Sequence, residues 1–425
     1  MRKTWGVVLI AALAALGGGS AAADEFHYTD LLIGDRAAGM AGAYTAVSDD
    51  ATGLYYNPAG IVYSTGRNLS ASVNAYYDTT KTYKSVIAGH GWERKSSSLL
   101  PNYFGVVQPV GGFKVGFSYA VPESIMSDQD QTFHDLPLAN AAPGVNISTY
   151  IINFNEEGST MNAGPSIAKD LTDEFSVGLT LYYFQRKSMT ILNQIISTSN
   201  GGFEWTNVYI KKNEQGLRPV LGFMASPVES LSVGLAFSKV FIASSDRSTQ
   251  GTLLRQGISA DTDVNILPDG QQHSSEIRKT PLQTTLGIAW FPSASLLVTS
   301  DLQYFSIKGL SGEEAFSDSG GPIKDVVNLA IGAEYYFSRN WALRGGVHTN
   351  YANTPELATD RINQDEHIDL YGGTFSVSHF TRNTSVSVGG GYTYGAGEAQ
   401  IVGERRPQDA VFKSWMLFLS SSYSY

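Results

Sequence analysis

The chain has 425 residues, 29 Lys and Arg against 39 Asp and Glu for a net charge of −10, and no cysteine. The missing thiols exclude a disulfide scaffold, thiolate metal sites and a cysteine nucleophile. The acidic balance, with no basic run longer than Lys211-Lys212 or Arg405-Arg406, excludes a nucleic-acid binder. Only 16% of residues are charged while 44 are Gly, 23 Tyr and 20 Phe, a balance unlike that of a cytosolic enzyme.

Residues 1–23 read as a cleaved signal peptide: Met1-Arg2-Lys3 is a positive start, Trp5 to Leu16 is apolar or small, and Ala21-Ala22-Ala23 is a small-residue cleavage site. Gly17-Gly18-Gly19-Ser20 ends the apolar run well short of the about 20 residues that a spanning helix needs. No later stretch approaches that length, so membrane residence requires a β-barrel, the other structure that satisfies every backbone group in lipid.

Residues 24–66 do not alternate. They carry Arg36-Ala37-Ala38-Gly39-Met40-Ala41-Gly42-Ala43, then Ser48-Asp49-Asp50-Ala51, then Tyr56-Asn57-Pro58-Ala59-Gly60. Small residues let this backbone pack closely, and Leu31, Leu32, Ile33, Met40, Leu54, Tyr55 and Tyr56 are too apolar for a free linker.

Residues 67–425 are read as the barrel: from about residue 68 onward the dominant pattern is strict alternation, as in strands. Phe175, Val177, Leu179, Leu181 and Tyr183 form one face against Ser176, Gly178, Thr180 and Tyr182; Val327, Leu329, Ile331 and Ala333 oppose Asn328 and Glu334. The polar face is mostly Ser, Thr, Gly, Asn and Gln, a lining suited to a barrel interior. Tight turns fall at 109–112, 171–174, 226–230, 292–295, 338–340 and 381–383. Long loops are expected at 80–97, 123–156, 190–202, 243–275, 309–323, 353–366 and 398–408. Six turns and seven loops make fourteen strands, with Pro101, Pro165 and Pro219 interrupting three of them. Aromatic residues near strand ends suit interfacial girdles, and the final strand presents Trp415, Leu417, Leu419, Ser421, Tyr423 and Tyr425 on one face. The fold class is therefore all-β, a transmembrane antiparallel β-barrel of about 14 strands with residues 24–66 as a plug.

The motifs of residues 36–60 resemble the N-terminal hatch of the FadL/TodX (OMPP1) family of outer-membrane hydrophobic-compound transporters, and the strand count, length and aromatic C-terminus agree over the mature chain. The resemblance implies a hatch element at Asn57, Pro58, Ala59 and Gly60, with Arg36, Asp49 and Asp50 inside the barrel. It implies passive uptake of long-chain fatty acids or hydrocarbons across the outer membrane of a Gram-negative bacterium, no cofactor, a lipid and lipopolysaccharide environment, and a monomer. Release is expected past the hatch through a lateral opening in the wall, for which Gly116 and Pro122 are the candidates. Arg36, Asp35, Asp49 and Asp50 are expected either to pair with lumen charges such as Glu334 and Arg344 or to solvate a wet interior.

A ligand crossing the polar saccharide coat needs an apolar catching surface. Ile125, Met126, Phe133, Leu136 and Leu138 in the second loop are candidates, as are Ile191, Leu192, Ile195 and Ile196 spaced for one face of a short helix in the third. Self-packing of compact loops explains the same residues equally well. Asp318-Ser319-Gly320-Gly321-Pro322 matches a serine-protease nucleophile segment but falls in an expected loop without a placed His and Asp. The seven His lack metal-ligand spacing, and no phosphate loop, nucleophile elbow or zinc helix is present. Two rival readings remain: a general porin, and a secretion-associated or structural barrel that binds a protein partner.

Overall fold

Leu179, Leu181 and Tyr183 stand outward at 42%, 44% and 40% exposure, while Gly178, Thr180 and Tyr182 between them are buried. Alternation of this kind builds a wall with a lipid-facing apolar skin and a polar lining. The computed structural model describes residues 26–137, 144–258, 264–266, 271–307, 321–361, 364–400 and 406–424. The expected signal peptide, Leu138 and the Asp318–Gly320 part of the protease-like motif lie outside the described residues.

The strands are β1 (Asn68–Ile87), β2 (His90–Val110), β3 (Phe113–Pro137), β4 (Asn146–Thr172), β5 (Phe175–Thr198), β6 (Phe203–Val228) and β7 (Leu231–Lys239). β8 (Phe241–Gln256) continues β7 after a break at Val240, and β9 (Val264–Ile266) and β10 (Gln272–Ser274) are short pieces paired to β8. The ring goes on with β11 (Leu282–Ser293), β12 (Leu296–Ser306), β13 (Val326–Ser338), β14 (Trp341–Asn350), β15 (His367–Phe380), β16 (Thr384–Ala399) and β17 (Gln408–Ser424). Each pairs antiparallel with its neighbour, β7 with β11, and β1 with β17 from Asn68↔Ser424 to Tyr83↔Ala410. Counting β7 and β8 as one stave, fourteen close into a barrel. All six tight turns expected from sequence lie at one end.

The other end corrects the sequence reading. Residues 80–87, 90–97, 123–137, 146–156 and 190–198 are strand, not loop, so β1–β6 run for 20 to 27 residues while β11–β15 run for 10 to 14. The short helix expected over 191–196 does not form. Ile191, Leu192, Ile195 and Ile196 belong to β5, where Ile195 pairs with Ile151 and Trp205 and Ile191 with Tyr209. A strand standing in water shows Asn, Ser and Thr on its outer face, and that polarity had read as loop. What holds the tall end is inside it: Tyr83, Trp92, Phe133, Tyr150, Leu192, Ile210, Ile368 and Phe412 form one buried cluster that joins β15 and β17 to β1–β6.

The three prolines sit within strands. Pro165 interrupts its ladder, where β4–β5 pairing passes from Ala163↔Tyr183 to Ser166↔Thr180. Pro101 adjoins a register shift between β1 and β2, and Pro219 stands where β6 changes partner from β7 to β8.

Residues 26–66 lie inside the ring. The segment holds two short helices, α1 (Asp35–Gly39) and α2 (Gly53–Tyr56), and a 3-10 turn Pro58–Tyr63. Six inward glycines make room for it in three cross-strand pairs: Gly178↔Gly222, Gly234↔Gly287 and Gly332↔Gly346. A Cβ on the first pair would strike Asn57, Pro58 and Ala59, on the second Thr45 and Ala46, and on the third Met40. Gly332→Val is accordingly expected to leave the barrel folded, with its heat-modifiable gel mobility intact, while exposing Arg36 to trypsin. Wild-type resistance at Arg36 would sink the close-fit account.

Candidate functional site

The inner segment is held by polar groups from nearly every side of the wall. Asp301 on β12 accepts from the backbone N–H of Tyr44 (3.0 Å) and Thr45 (2.9 Å), and Thr374 on β15 receives the Ala41 N–H (3.0 Å). Asn57 spends its side chain three ways: Nδ2 donates to Thr45 O (2.8 Å) and Phe223 O (3.0 Å), and Oδ1 caps the 3-10 turn by accepting from Ala59 N (3.1 Å). Pro58 then enters the turn at a position whose N–H has no helical acceptor. Ala59 O receives Ser176 Oγ (3.0 Å) and Leu54 O receives Thr180 Oγ1 (2.8 Å). Gly60 lies against Ser48, so the Asn57–Gly60 element and the Ser48-Asp49-Asp50 run meet.

Charge is concentrated at α1. The Arg36 guanidinium binds Glu334 on β13 through Nε (3.0 Å) and Nη2 (2.6 Å) and Asp49 through Nη1 (2.5 Å). Arg344 on β14 binds the other face of Glu334 (2.7 Å) and stands 4.0 Å from Asp35, which also receives Ser387 Oγ (2.7 Å). Glu334 is fully buried and Arg344 3% exposed, so each charge depends on its partners. Burial works against the Arg36 charge, but Asp49 and Glu334 outweigh it and hold its pKa raised. Asp50 has no such pairing: burial first, then Asp49 and Asp35, push its pKa up to about 6, with Arg36 offsetting only part.

A cavity of about 210 Å³ lies between the inner segment and the wall. Leu31, Leu32, Tyr55, Tyr56, Phe184 and Phe305 supply apolar and aromatic surface, and Arg186, Arg218 and Arg278 reach it from β5, β6 and the approach to β11. Arg186 is paired with Glu123 (3.3 Å) and Arg278 with Glu214 (3.0 Å). Arg218 differs. It lies over the Tyr55 ring at 4.8 Å and makes only long contacts to the neutral Ser238 (3.4 Å) and Gln283 (3.5 Å), with no carboxylate partner among the described residues.

Pro122 also borders this cavity, and the wall is discontinuous beside it. β2 and β3 pair from Val110↔Phe113 to Tyr103↔Ala120 and then only at Ser96↔Ser127. β3 shifts register against β4 between Ala120 and Glu123 at the same place. The freed Pro122 carbonyl accepts from Leu31 N–H of the inner segment (2.9 Å). Gly116 lies lower on β3, where its missing Cβ leaves space filled by Leu54.

The expected capture residues do not come together. Phe133, Leu136 and Leu192 are buried in the tall-end cluster; Ile191 and Ile195 stand on the outer face of β5; Ile125 is half-buried and Met126 is 51% exposed. Sequence reasoning missed Arg218, Asp301 and Thr374. Each is one inward polar residue in an alternating strand, with no local signal to separate it from the other lining residues.

A family model described as outer membrane protein transport protein (OMPP1/FadL/TodX) matches residues 14–411. A long-chain fatty acid transport protein of Escherichia coli K12 is 28% identical over 142 residues, 32% of this chain, and the match spans 30% of that relative's length. The fold matches that of a Pseudomonas aeruginosa FadL homologue with TM-score 0.65 at 15% identity, over 94% of this chain and 99% of that one. It matches the P. putida toluene transporter TodX with TM-score 0.63 at 15% identity, over 93% and 99%.

The raised Asp50 pKa sets a pH response. A carboxyl that ionises less readily folded than unfolded lets the folded state hold more protons, so its contribution to stability falls as pH rises from about 4 through about 6. Hydrogen-exchange protection of residues 34–60 should therefore decline across that window in the wild type and decline less in Asp50→Asn. Parallel profiles for the two proteins would contradict the assignment.

Proposed function

The chain belongs to the OMPP1/FadL/TodX family of outer membrane transport proteins, and from that premise we propose that it passively takes up hydrophobic acids of the long-chain fatty-acid class. The observation that carries the choice of an acid over a neutral hydrocarbon is Arg218. Asp30 and Glu123 also line the cavity, but Arg218 hydrogen-bonds only neutral side chains among the described residues; it pays for lost hydration until an anion arrives, and a carboxylate supplies a charge-assisted bond. Leu31, Leu32, Phe184 and Phe305 take the tail, where burial at roughly 25 cal/mol per Å² supports micromolar capture without special chemistry. The family members named above bear on this through their own ligands, a fatty acid in one case and toluene in the other.

Residues 26–66 act in this reading as a hatch. They occupy the lumen, which disfavours an open pore, and their Leu31–Pro122 bond ties them to the β2–β3 gap, so movement of the segment and opening of the wall are mechanically joined. Release runs through that gap, with Pro122 and not Gly116 at its edge. The barrel works as a monomer among outer-membrane lipid and lipopolysaccharide.

Arg218→Ala is expected to weaken binding of a long-chain fatty acid about tenfold, the scale of one hydrogen bond between charged groups, while changing toluene binding by less than about twofold. Isothermal titration in a detergent without fatty chains measures both. Equal losses for the two ligands, or no loss for either, would refute the carboxylate assignment.

A further inference from the structure

The cavity touches a second discontinuity in the wall. Besides Pro122 it is bordered by Phe237–Val240 and by Thr280, Pro281 and Gln283, the residues at which β7 ends and β11 begins. The β7–β11 ladder stops at Lys239↔Leu282. Beyond it β8 pairs with β6 and with the short β9 and β10, and among the described residues it forms no ladder with β11. Pro281 has no N–H with which to extend the ladder, and Val240 belongs to neither strand. Among the described residues Thr280 Oγ1 donates across the seam to Val240 O at 2.6 Å, and just above it Arg278 pairs with Glu214 of β6 at 3.0 Å.

Three observations make this seam a route and not a defect. First, a buried cluster stands above the cavity: Tyr150, Leu192 and Ile210 lie eight to ten residues farther along β4, β5 and β6 than the cavity residues Thr160, Phe184 and Arg218, and the same cluster holds Ile368 and Phe412. Second, the nine residues of β7 below the break rise about 20–25 Å at roughly 3.3 Å per residue and a tilt near 40°, which sets the seam at the outer border of an apolar band about 25 Å tall. Third, its outer surface exposes Leu217 at 49% and Phe241 at 56%, flanked by Lys239 over the Phe241 ring and by Lys279.

We propose that the seam between Val240 and Thr280 is a lateral portal through which an apolar-tailed carboxylate dissolved in the outer leaflet slides into the cavity. The tail passes between Phe241 and Pro281, and the headgroup meets Arg218. This rests on the fatty-acid reading above, and it places the way in and the way out at two wall discontinuities joined by one cavity.

The chain has no cysteine, so an introduced pair is the sole thiol chemistry. In Val240→Cys/Thr280→Cys the seam closes on oxidation and reopens with reductant. Binding of radiolabelled palmitate to the full barrel in liposomes of outer-membrane lipid should be about tenfold slower oxidised than reduced, with the equilibrium affinity unchanged. Phe241→Cys reacted with a bulky maleimide should slow binding similarly and keeps the test available if the pair does not cross-link; gel heat-modifiability verifies folding of each variant. Equal rates with the seam locked and open, alongside intact affinity, would overturn the portal alone. Absence of palmitate binding in both states of both variants and in the wild type would overturn the fatty-acid reading and the portal with it.

Discussion

Lipid offers no hydrogen bonds, and the rest of this structure follows from that. A sheet in the bilayer must pair its last edge with its first, so β17 returns to β1 along fifteen residue pairs, and once the ring is shut its interior becomes a separate solvent compartment. Inside it Ser, Thr and Asn are buried beside Glu334 and Arg344, and groups such as Ser378 with Ser387 and Asn102 with the Leu32 carbonyl bond one another or the enclosed segment. Outside it Leu, Tyr and Trp face the membrane.

Within that compartment two kinds of contact locate residues 26–66. Paired glycines admit backbone to backbone at Met40, Thr45 and Pro58, and isolated charged or hydroxyl groups such as Asp301 and Thr374 fix the segment's N–H groups once there. The Arg36–Glu334–Arg344 cluster adds a fixed point at α1 whose disruption strands a charge, while around Leu31 the ties are neutral or singly charged: Leu31 N–H to Pro122 O, Asn102 to Leu32 O and Tyr77 to Asp30.

How much of this was legible in the sequence depended on whether the signal was periodic. The barrel class, the six tight turns and the strand count followed from alternation and turn residues, because a period of two is imposed by the pleat whatever the loops do. The inner segment stood out because it lacked that period while remaining apolar. The tall end was misread where polarity on one face of β4–β6 resembled loop composition; the alternating inner set, Tyr150-x-Ile152 and Val208-x-Ile210, was the better guide. Pro122 beside the β2–β3 gap was reached through the family resemblance, whereas Arg218 and the Val240–Thr280 seam were not legible, since a cavity wall and a missing ladder are relations between separate strands.

The enclosed segment also carries a consequence for biogenesis. Its partners Asp301, Glu334, Thr374 and Ser387 stand 257 to 352 positions later in the chain, so although Pro122, Ser176 and Thr180 can meet the segment early, the contacts around α1 and Tyr44 form only after the late strands have arrived. Because residue 66 leads directly into β1, the segment starts beside the mouth at which β17 meets β1, where its seating and the closure of the ring are neighbours. Seating the segment is thus a late, long-range step, slow by topology, and until it happens Leu31, Met40 and Tyr44 are apolar surface in need of a chaperone's cover.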